Sequence, residues 1–175
     1  MSLYEKIKHW RMPTNTLSAS LQAMAPDGLR GNEGIVMWLG RSASNVATIT
    51  HLVTFAEHLL RKRPDFLEIP PSTMSRLTDL AETLEVSLIG QIHSHPGTFI
   101  DLSIPDRRYG ISAPYYLSVV APHYAQRPDT DWRDCGVHQF IPRAGFRRVS
   151  NVEVRWRIER LPFANATSIS LGEEA

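Results

Sequence analysis

Apolar residues recur at helical spacing near the start of the chain and then give way to short, almost continuous apolar runs. The segment PTNTLSASLQAMAPDG (13–28) places Leu17, Leu21 and Met24 on one face and ends in a glycine. This spacing predicts a first helix. The run IVMWLG (35–40) is too short for a buried helix and is rich in strand-forming residues, so it predicts a central strand.

Strand-like and helix-like patterns alternate through the middle of the chain. Two runs, NVATITHLVTF (45–55) and VSLIGQIHSH (86–95), are rich in β-branched and apolar residues and predict strands. DFLEIP (65–70) predicts a shorter strand that a proline pair closes. A second helix is predicted to begin near Ser72, because apolar residues then share one helical face: Leu77, Leu80, Ala81 and Leu84.

The next segments add one more helix and several strands. SIPD (103–106) has the residue types of a helix N-terminus, with a serine N-cap, a proline in the first turn and an aspartate at N3. A strand is predicted at YYLSVVAP (115–122), and an irregular excursion covers 121–135. Three closing strands are predicted at 136–141, 145–150 and 152–159.

These elements fit a single domain of the α/β (α+β) class, in which a mixed sheet has helices packed on it. The predicted domain spans residues 1–162, and residues 163–175 are expected to form a loose, polar C-terminal tail. A chain of 175 residues with 42% hydrophobic content is long enough to bury a full core.

The composition of the chain indicates which partners and which cellular compartment to expect. The formal net charge is only +1, so nothing in it argues for nucleic acid or a membrane surface as a partner. No stretch approaches the ~18 uninterrupted apolar residues of a spanning helix. The single cysteine, Cys135, has no partner for an internal disulfide and is expected to be buried, which fits a reducing compartment. We therefore expect a soluble, cytoplasmic protein.

Two histidines, one residue apart, end the strand predicted at 86–95. Because side chains alternate along a strand, His93 and His95 point the same way and Ser94 points the opposite way. Asp106, in the first turn of the following helix, is placed to return to the same spot. Two imidazole nitrogens and one carboxylate oxygen make a three-ligand set that leaves a tetrahedral zinc ion one open position.

Zinc in such a site supplies hydrolytic chemistry. It lowers the pKa of its bound water to ~7 and acts as a Lewis acid for a carbonyl oxygen. A further group must take the water's proton and pass it to the leaving nitrogen, a role that a glutamate usually fills. Glu33 is the candidate, because it stands at the mouth of the strand predicted at 35–40.

Each of these residues also has an ordinary structural explanation. A histidine near a strand end is more often a hydrogen-bonded residue than a ligand, and Glu33 fits a solvated loop acid. Ser103 and Asp106 are explained as an N-cap and a first-turn acid. The combination is harder to explain this way. With 7 histidines, 15 serines and 8 aspartates, the pattern H-x-H-x7-S-x2-D arises by chance about once in a thousand such chains.

The segments EGIVMWLGR and HSHPGTFIDLSIPD together resemble the JAMM (MPN+) zinc metalloprotease family, whose pattern is an upstream glutamate followed by H-x-H-x7-S-x2-D. The resemblance implies His93, His95 and Asp106 as ligands of one zinc ion per chain. It implies Glu33 as the general acid/base and Ser103 as a residue that helps to stabilise the oxyanion. It also implies a curved mixed sheet flanked by helices, an MPN/JAB-like fold with cytidine-deaminase-like architecture.

The resemblance, which runs over roughly residues 10 to 160, also implies a substrate. The family hydrolyses isopeptide or peptide bonds after the C-terminal tail of ubiquitin or a ubiquitin-like protein. Such a tail is expected to bind as an extended strand, near 112–116 or 121–135. The chain lacks the long insertions of eukaryotic deubiquitinases, so it resembles compact bacterial members. These are the proteases of antiphage conjugation operons (Bil and CBASS types) and those that trim sulfur-carrier proteins.

Two other classes remain open on the sequence alone. A cupin or non-haem iron oxygenase also uses two histidines and a carboxylate, with His138 as its distant third histidine. Against it, Thr98, Phe99 and Ile100 stand where its glutamate is expected. A non-catalytic MPN scaffold would bind partners without metal, but such domains typically lack some of the five motif residues.

Overall fold

The computed structural model describes residues 6–63 and 66–172, and its main elements are helices packed on a large sheet. The helices are α1 (Thr16–Leu29), α2 (Pro71–Thr83), α3 (Ile104–Tyr109) and α4 (Asn151–Arg157). The strands are β1 (His9–Pro13), β2 (Ile35–Ala43), β3 (Val46–Phe55), β4 (Arg61–Arg63), β5 (Phe66–Glu68), β6 (Ser87–Ser94), β7 (Leu117–Ala121), β8 (Gly136–Ile141), β9 (Gly145–Arg148), β10 (Ile158–Leu161) and β11 (Thr167–Leu171). None of the helices in these ranges is long and apolar enough to cross a membrane.

The described residues form a nine-stranded mixed sheet in the order β10-β1-β3-β2-β6-β7-β8-β9, with β11 beside β3. Strand β2 runs antiparallel to both β3 and β6, whereas β6 runs parallel to β7. Strands β1 and β11 both run parallel to β3 and share the edge that faces away from β2. The sheet curls strongly, which confirms the predicted α+β class with a curved mixed sheet.

Helices cover both faces of the sheet, and strand β2 shows this most clearly. Its side chains alternate between two buried clusters: Val36 and Trp38 pack with α1, and Ile35, Met37 and Leu39 pack with α2. A strand that is buried on both faces reads as a continuous apolar run rather than as an alternating one. This explains why the segment IVMWLG contains no polar residue.

Most predicted elements are present at close to their expected positions. The first two helices are α1 and α2, and the two long strands predicted at 45–55 and 86–95 are β3 and β6. Of the strand predicted at 65–70, residues 66–68 form β5, and residue 65 lies outside the described residues. Helix α3 begins after Ser103 with the predicted capping box, in which Asp106 is the N3 residue.

Two predicted segments differ from the structure. Residues 152–159, predicted as one strand, form most of α4 and the start of β10. The helix begins because Ser150 and Glu153 make a capping box, which outweighs the strand preference of the valines. The expected loose tail is also wrong for residues 167–171, which form β11 on the edge of β3. This strand is polar because its outward side chains face solvent.

Candidate metal centre

The candidate metal centre lies where strand β6 leaves the sheet. His93 stands opposite Ile35 of β2 and beside Val120 of β7, so it is held between two neighbouring strands. As predicted, His93 and His95 face the same side, and their Nε2 atoms lie 3.1 Å apart. Both imidazoles are almost fully buried, with 3% and 4% of their surface exposed. Two buried nitrogens that face each other at this distance need a proton or a cation between them.

Asp106 completes the cluster from the first turn of α3. Its Oδ2 lies 3.2 Å from Nε2 of His95, and its Oδ1 lies 3.5 Å from Nε2 of His93. The three side chains each offer a ligand atom, and these atoms lie within 4.8 Å of one another. The structure therefore brings together the three residues that the sequence predicts as metal ligands.

The separations within the cluster are compatible with a tetrahedral metal ion. Zinc binds imidazole nitrogen at 2.0–2.1 Å, so two ligand atoms on a tetrahedral ion lie about 3.3 Å apart. The two Nε2 atoms lie 3.1 Å apart, and each lies 3.2 or 3.5 Å from a different oxygen of the Asp106 carboxylate. Two imidazoles with one carboxylate suit zinc or a similar transition metal better than magnesium or calcium, which prefer oxygen ligands. The residues present are thus compatible with a metal site.

Contacts behind the ligands orient the two rings. Nδ1 of His95 lies 3.1 Å from the carbonyl oxygen of Phe99, so an N–H on Nδ1 donates to this oxygen and leaves Nε2 without a proton, as a metal ligand requires. Nδ1 of His93 lies 3.5 Å from the side-chain nitrogen of Gln91. The side-chain oxygen of Gln91 accepts a hydrogen bond from the Tyr116 hydroxyl. The contact of His95 with a backbone carbonyl is of the kind usual around metal-binding histidines.

The electrostatics of the cluster favour a cation. Burial opposes ionisation of the Asp106 carboxyl, but hydrogen bonds with His93, His95 and Ser103 hold its pKa well below the ordinary value. Burial also acts to lower the pKa of His95, but its hydrogen bond to Asp106 and the negative charge of Glu33 raise that pKa overall. Ionised carboxylates beside two buried imidazoles provide a site that a divalent ion would neutralise.

Glu33 lies at the mouth of β2, where the sequence places it. Its side chain is buried and lines the same cavity as His93 and Asp106. The next residue is held by Ser94: the Gly34 amide donates to Ser94 Oγ at 2.9 Å, and the Ser94 amide donates to the Gly34 carbonyl at 3.0 Å. The serine between the two histidines therefore fixes the backbone beside Glu33. Sequence reasoning missed this role, although the position of Ser94 between two predicted ligands was a signal for it.

Ser103 is both a helix cap and a neighbour of the ligands. Its Oγ accepts from the Asp106 amide at 3.2 Å and donates to Asp106 Oδ2 at 2.6 Å, and its own amide donates to the same oxygen at 2.7 Å. Ser103 is therefore an N-cap that also orients Asp106, a predicted ligand.

The loop between His95 and Ser103 is fixed to the sheet through Asp101. This carboxylate lies 2.7 Å from Nε2 of His138 on β8 and accepts from Arg107 at 2.9 Å. His138 is completely buried and is not part of the three-residue cluster. The distant third histidine that a cupin would use therefore holds the loop instead, which removes the support for that alternative.

A turn with unusual backbone geometry supports His95 from the other side. Three consecutive residues, His123, Tyr124 and Ala125, have φ values of 55°, 54° and 58°. Such left-handed conformations cost about 1–3 kcal/mol each and tend to persist at functional sites. The His123 amide donates to the Gly97 carbonyl at 2.7 Å, and the Tyr124 amide donates to the His95 carbonyl at 2.8 Å. The strained turn therefore holds the backbone around a predicted ligand.

The cavity beside the cluster is partly open and has many apolar residues in its walls. We call this the hairpin groove, because residues of β5 in the β4–β5 hairpin form one wall and residues near the end of α3 form another. Its apolar lining residues are Ile35, Phe66, Leu67, Ile69, Met74, Pro105 and Ile111. The cluster thus lies in a partly open cavity between β5 and the end of α3.

We predict that His138 makes the fold sensitive to mild acid. Burial lowers the pKa of this imidazole from 6.5, although the bond to Asp101 opposes the shift. The unfolded chain then takes up a proton near pH 6.5 that the folded chain does not, so the free energy of unfolding falls as the pH drops below that value.

Denaturant titrations of the metal-free wild type and of His138→Gln at pH 7.5 and 5.5 test this. The wild type should lose more stability between the two pH values than the variant, since the other titrating groups are common to both proteins. Equal losses would show that His138 does not contribute.

Comparison with known proteins gives one relative by sequence and a shared fold. No protein-family model matches the chain. It is 27% identical over 151 residues to the "Probable metalloprotease y4jG" of Sinorhizobium fredii (strain NBRC 101917 / NGR234), an alignment that covers 85% of this chain and 92% of that protein. The solution structure of protein DSY2949 from Desulfitobacterium hafniense superposes with a TM-score of 0.63 at 14% identity, over 87% of this chain and 92% of that one. At 14% identity, the similarity to DSY2949 shows a shared fold and nothing about function. The chain is therefore an α+β protein that shares its fold with DSY2949 and carries a His-His-Asp cluster compatible with a metal site.

Proposed function

We propose that this chain is a zinc-dependent peptidase that cleaves after the C-terminal tail of a ubiquitin-like protein. The observation that carries the proposal is the His93, His95 and Asp106 cluster with Glu33 in the same cavity. The relative named as a probable metalloprotease supports the broader peptidase role. The ubiquitin-like substrate, cleaved from an isopeptide or a linear bond in a bacterial conjugation or antiphage defence system, is the finer part of the proposal.

In this proposal the metal and the chain have separate tasks. Zinc held by His93, His95 and Asp106 would supply a nucleophilic water at neutral pH and a Lewis acid for the carbonyl oxygen. Glu33 takes the proton from the attacking water and delivers it to the leaving nitrogen. Ser103 would help to stabilise the oxyanion that develops on the scissile carbonyl, with its hydroxyl turning from Asp106 Oδ2 to that oxygen.

The hairpin groove is our candidate site for the substrate tail. An extended tail binds well along a strand edge, with its side chains in flanking pockets. Strand β5 pairs with β4 and contributes Phe66, Leu67 and Glu68 to the groove. Neither 112–116 nor 121–135, the edges expected from the sequence, contributes residues to the groove lining. We therefore place the tail along β5.

A cleavage assay with three tail donors tests the function. Ubiquitin, a ubiquitin-like protein from a bacterial conjugation operon and a sulfur-carrier protein are each joined to a reporter, by a linear bond and through a lysine side chain. The zinc-loaded protein should release the reporter from the bacterial ubiquitin-like protein by cleaving directly after its tail. A chelator should abolish this cleavage until zinc is restored.

The outcomes separate the alternatives. Cleavage of the sulfur carrier alone would assign carrier processing instead. A purified protein with about one zinc per chain but no cleavage of any donor would overturn the proposed substrate. Absence of bound transition metal, with no activity on adding zinc, would favour the non-catalytic scaffold.

A further inference from the structure

The wall of the hairpin groove is a small sheet that stands apart from the main one. In it, Lys62 pairs with Leu67 and Arg63 with Phe66, and neither β4 nor β5 joins the nine-stranded sheet of the described residues. An isolated two-stranded hairpin is only marginally stable in water. The position of this wall therefore depends on what holds the hairpin to the rest of the protein.

A largely buried ion pair provides such an anchor. The ammonium nitrogen of Lys62 lies 2.7 Å from each carboxylate oxygen of Asp27, and the two side chains are only 12% and 11% exposed. Arg30 also donates to Asp27, at 2.7 Å. Lysine is rarely buried unless it is paired, and a pair shielded from water interacts more strongly than one at the surface. Lys62 thus ties β4 to the last turn of α1.

The same aspartate shapes the chain that leads to Glu33. Its backbone carbonyl accepts hydrogen bonds from the amides of Arg30, at 2.9 Å, and Asn32, at 3.0 Å. These bonds close the turn between α1 and β2, and Glu33 follows directly. Asp27 therefore connects, through its side chain and its backbone, the groove wall and the proposed proton-transfer residue.

We infer that Asp27 and Lys62 are positioning residues that set the distance between the hairpin wall and the catalytic cavity, and so determine how tightly the groove binds a substrate tail. This inference rests on the function proposed above. Neither residue lines the groove, so both act through the residues they hold. Loss of the pair should weaken binding of the tail in the ground state and the transition state alike, which raises KM with little change in kcat.

The hairpin offers a matched control. Arg61 and Glu68 form an ion pair across the same two strands, at 3.4 Å, but their side chains are 72% and 38% exposed. Exposed ion pairs of this kind contribute little to the stability of a protein. Arg61→Met therefore removes a cation from the same strand without removing the anchor.

The test measures steady-state cleavage of the tail fusion by zinc-loaded Lys62→Met, Asp27→Asn, Lys62→Arg and Arg61→Met. Lys62→Met and Asp27→Asn should each raise KM about tenfold with kcat within about threefold of wild type. Lys62→Arg keeps the cation and should stay within about twofold of the wild-type KM, as should Arg61→Met. If Lys62→Met fails to fold, Lys62→Gln is measured in the same way.

Hydrogen exchange on the same zinc-loaded proteins gives a readout that needs no substrate. Amides of residues 61–63 and 66–68 should exchange faster in Lys62→Met than in Arg61→Met. If the wild type cleaves no tail, the proposed function fails, and the exchange data still decide whether the pair anchors the hairpin. Wild-type KM and unchanged exchange in Lys62→Met, or equal effects of Lys62→Met and Arg61→Met, would overturn the inference.

Discussion

The Asp106→Asn variant is expected to lose most of its zinc, and with it the hydrolysis of the substrate tail. Asp106 is the one carboxylate in the three-residue cluster, and its low pKa keeps it ionised at neutral pH. Asparagine keeps the shape but removes the negative charge that offsets a divalent cation. Loss of a residue that only hydrogen-bonds to a metal ligand typically lowers metal affinity about 10–100-fold. Loss of a ligand itself should therefore lower the affinity more than ~100-fold.

Zinc content after dialysis, and zinc affinity from competition with a chelator, measure this effect. Glu153→Gln is a matched control, because Glu153 holds the same N3 position in the capping box of α4, away from the cluster. This control should keep its zinc. If Asp106→Asn retains one zinc per chain, the proposed ligand set is wrong. If Glu153→Gln loses as much zinc, the effect comes from general destabilisation.

The Glu33→Ala variant is expected to keep its zinc and still bind the tail, yet to cleave at least ~10²-fold more slowly, as is typical when a positioned proton-transfer group is lost. Glu33 lines the cavity but is not one of the three clustered ligand residues. Its removal therefore leaves the metal ligands in place and takes away the group that moves the proton.

Zinc content and single-turnover cleavage should be measured on the same preparation of Glu33→Ala, because the two values together distinguish a base from a ligand. Retained zinc with slow cleavage supports the proton-transfer role. Loss of zinc would make Glu33 a ligand, and cleavage at the wild-type rate would show that another group moves the proton. Either result would change the roles assigned here without changing the fold.

Local sequence patterns were sufficient to predict the parts of the site that neighbouring residues build. The spacing of His93 and His95 on a strand, and of Ser103 and Asp106 at a helix start, depends on strand alternation and on the capping box. Both features act over a few residues and therefore leave a readable pattern. The meeting of Asp106 with the two histidines follows from the short loop between β6 and α3.

Features made by distant segments could not be predicted in this way. The pairing of Lys62 with Asp27 joins parts of the chain that carry no shared pattern, and a lysine in a basic run reads as a solvated residue. The left-handed turn at 123–125 contains no glycine, so its sequence gives no signal of its backbone geometry. Helix α4 is different: the Ser150 and Glu153 capping box was readable, and the alternating valines obscured it.

During synthesis, the ribosome releases β1 and β3 long before one of the strands that each of them pairs with. One edge of β1 stays unpaired until β10 (Ile158–Leu161) is made, and the second half of β3 stays unpaired on one edge until β11 (Thr167–Leu171) is made. Contacts between segments so far apart in sequence form slowly, and an open strand edge invites pairing with other chains. The newly made chain therefore keeps part of the β3 edge open to such pairing until residues 167–171 emerge, when the segment with His93, His95 and Asp106 is already complete.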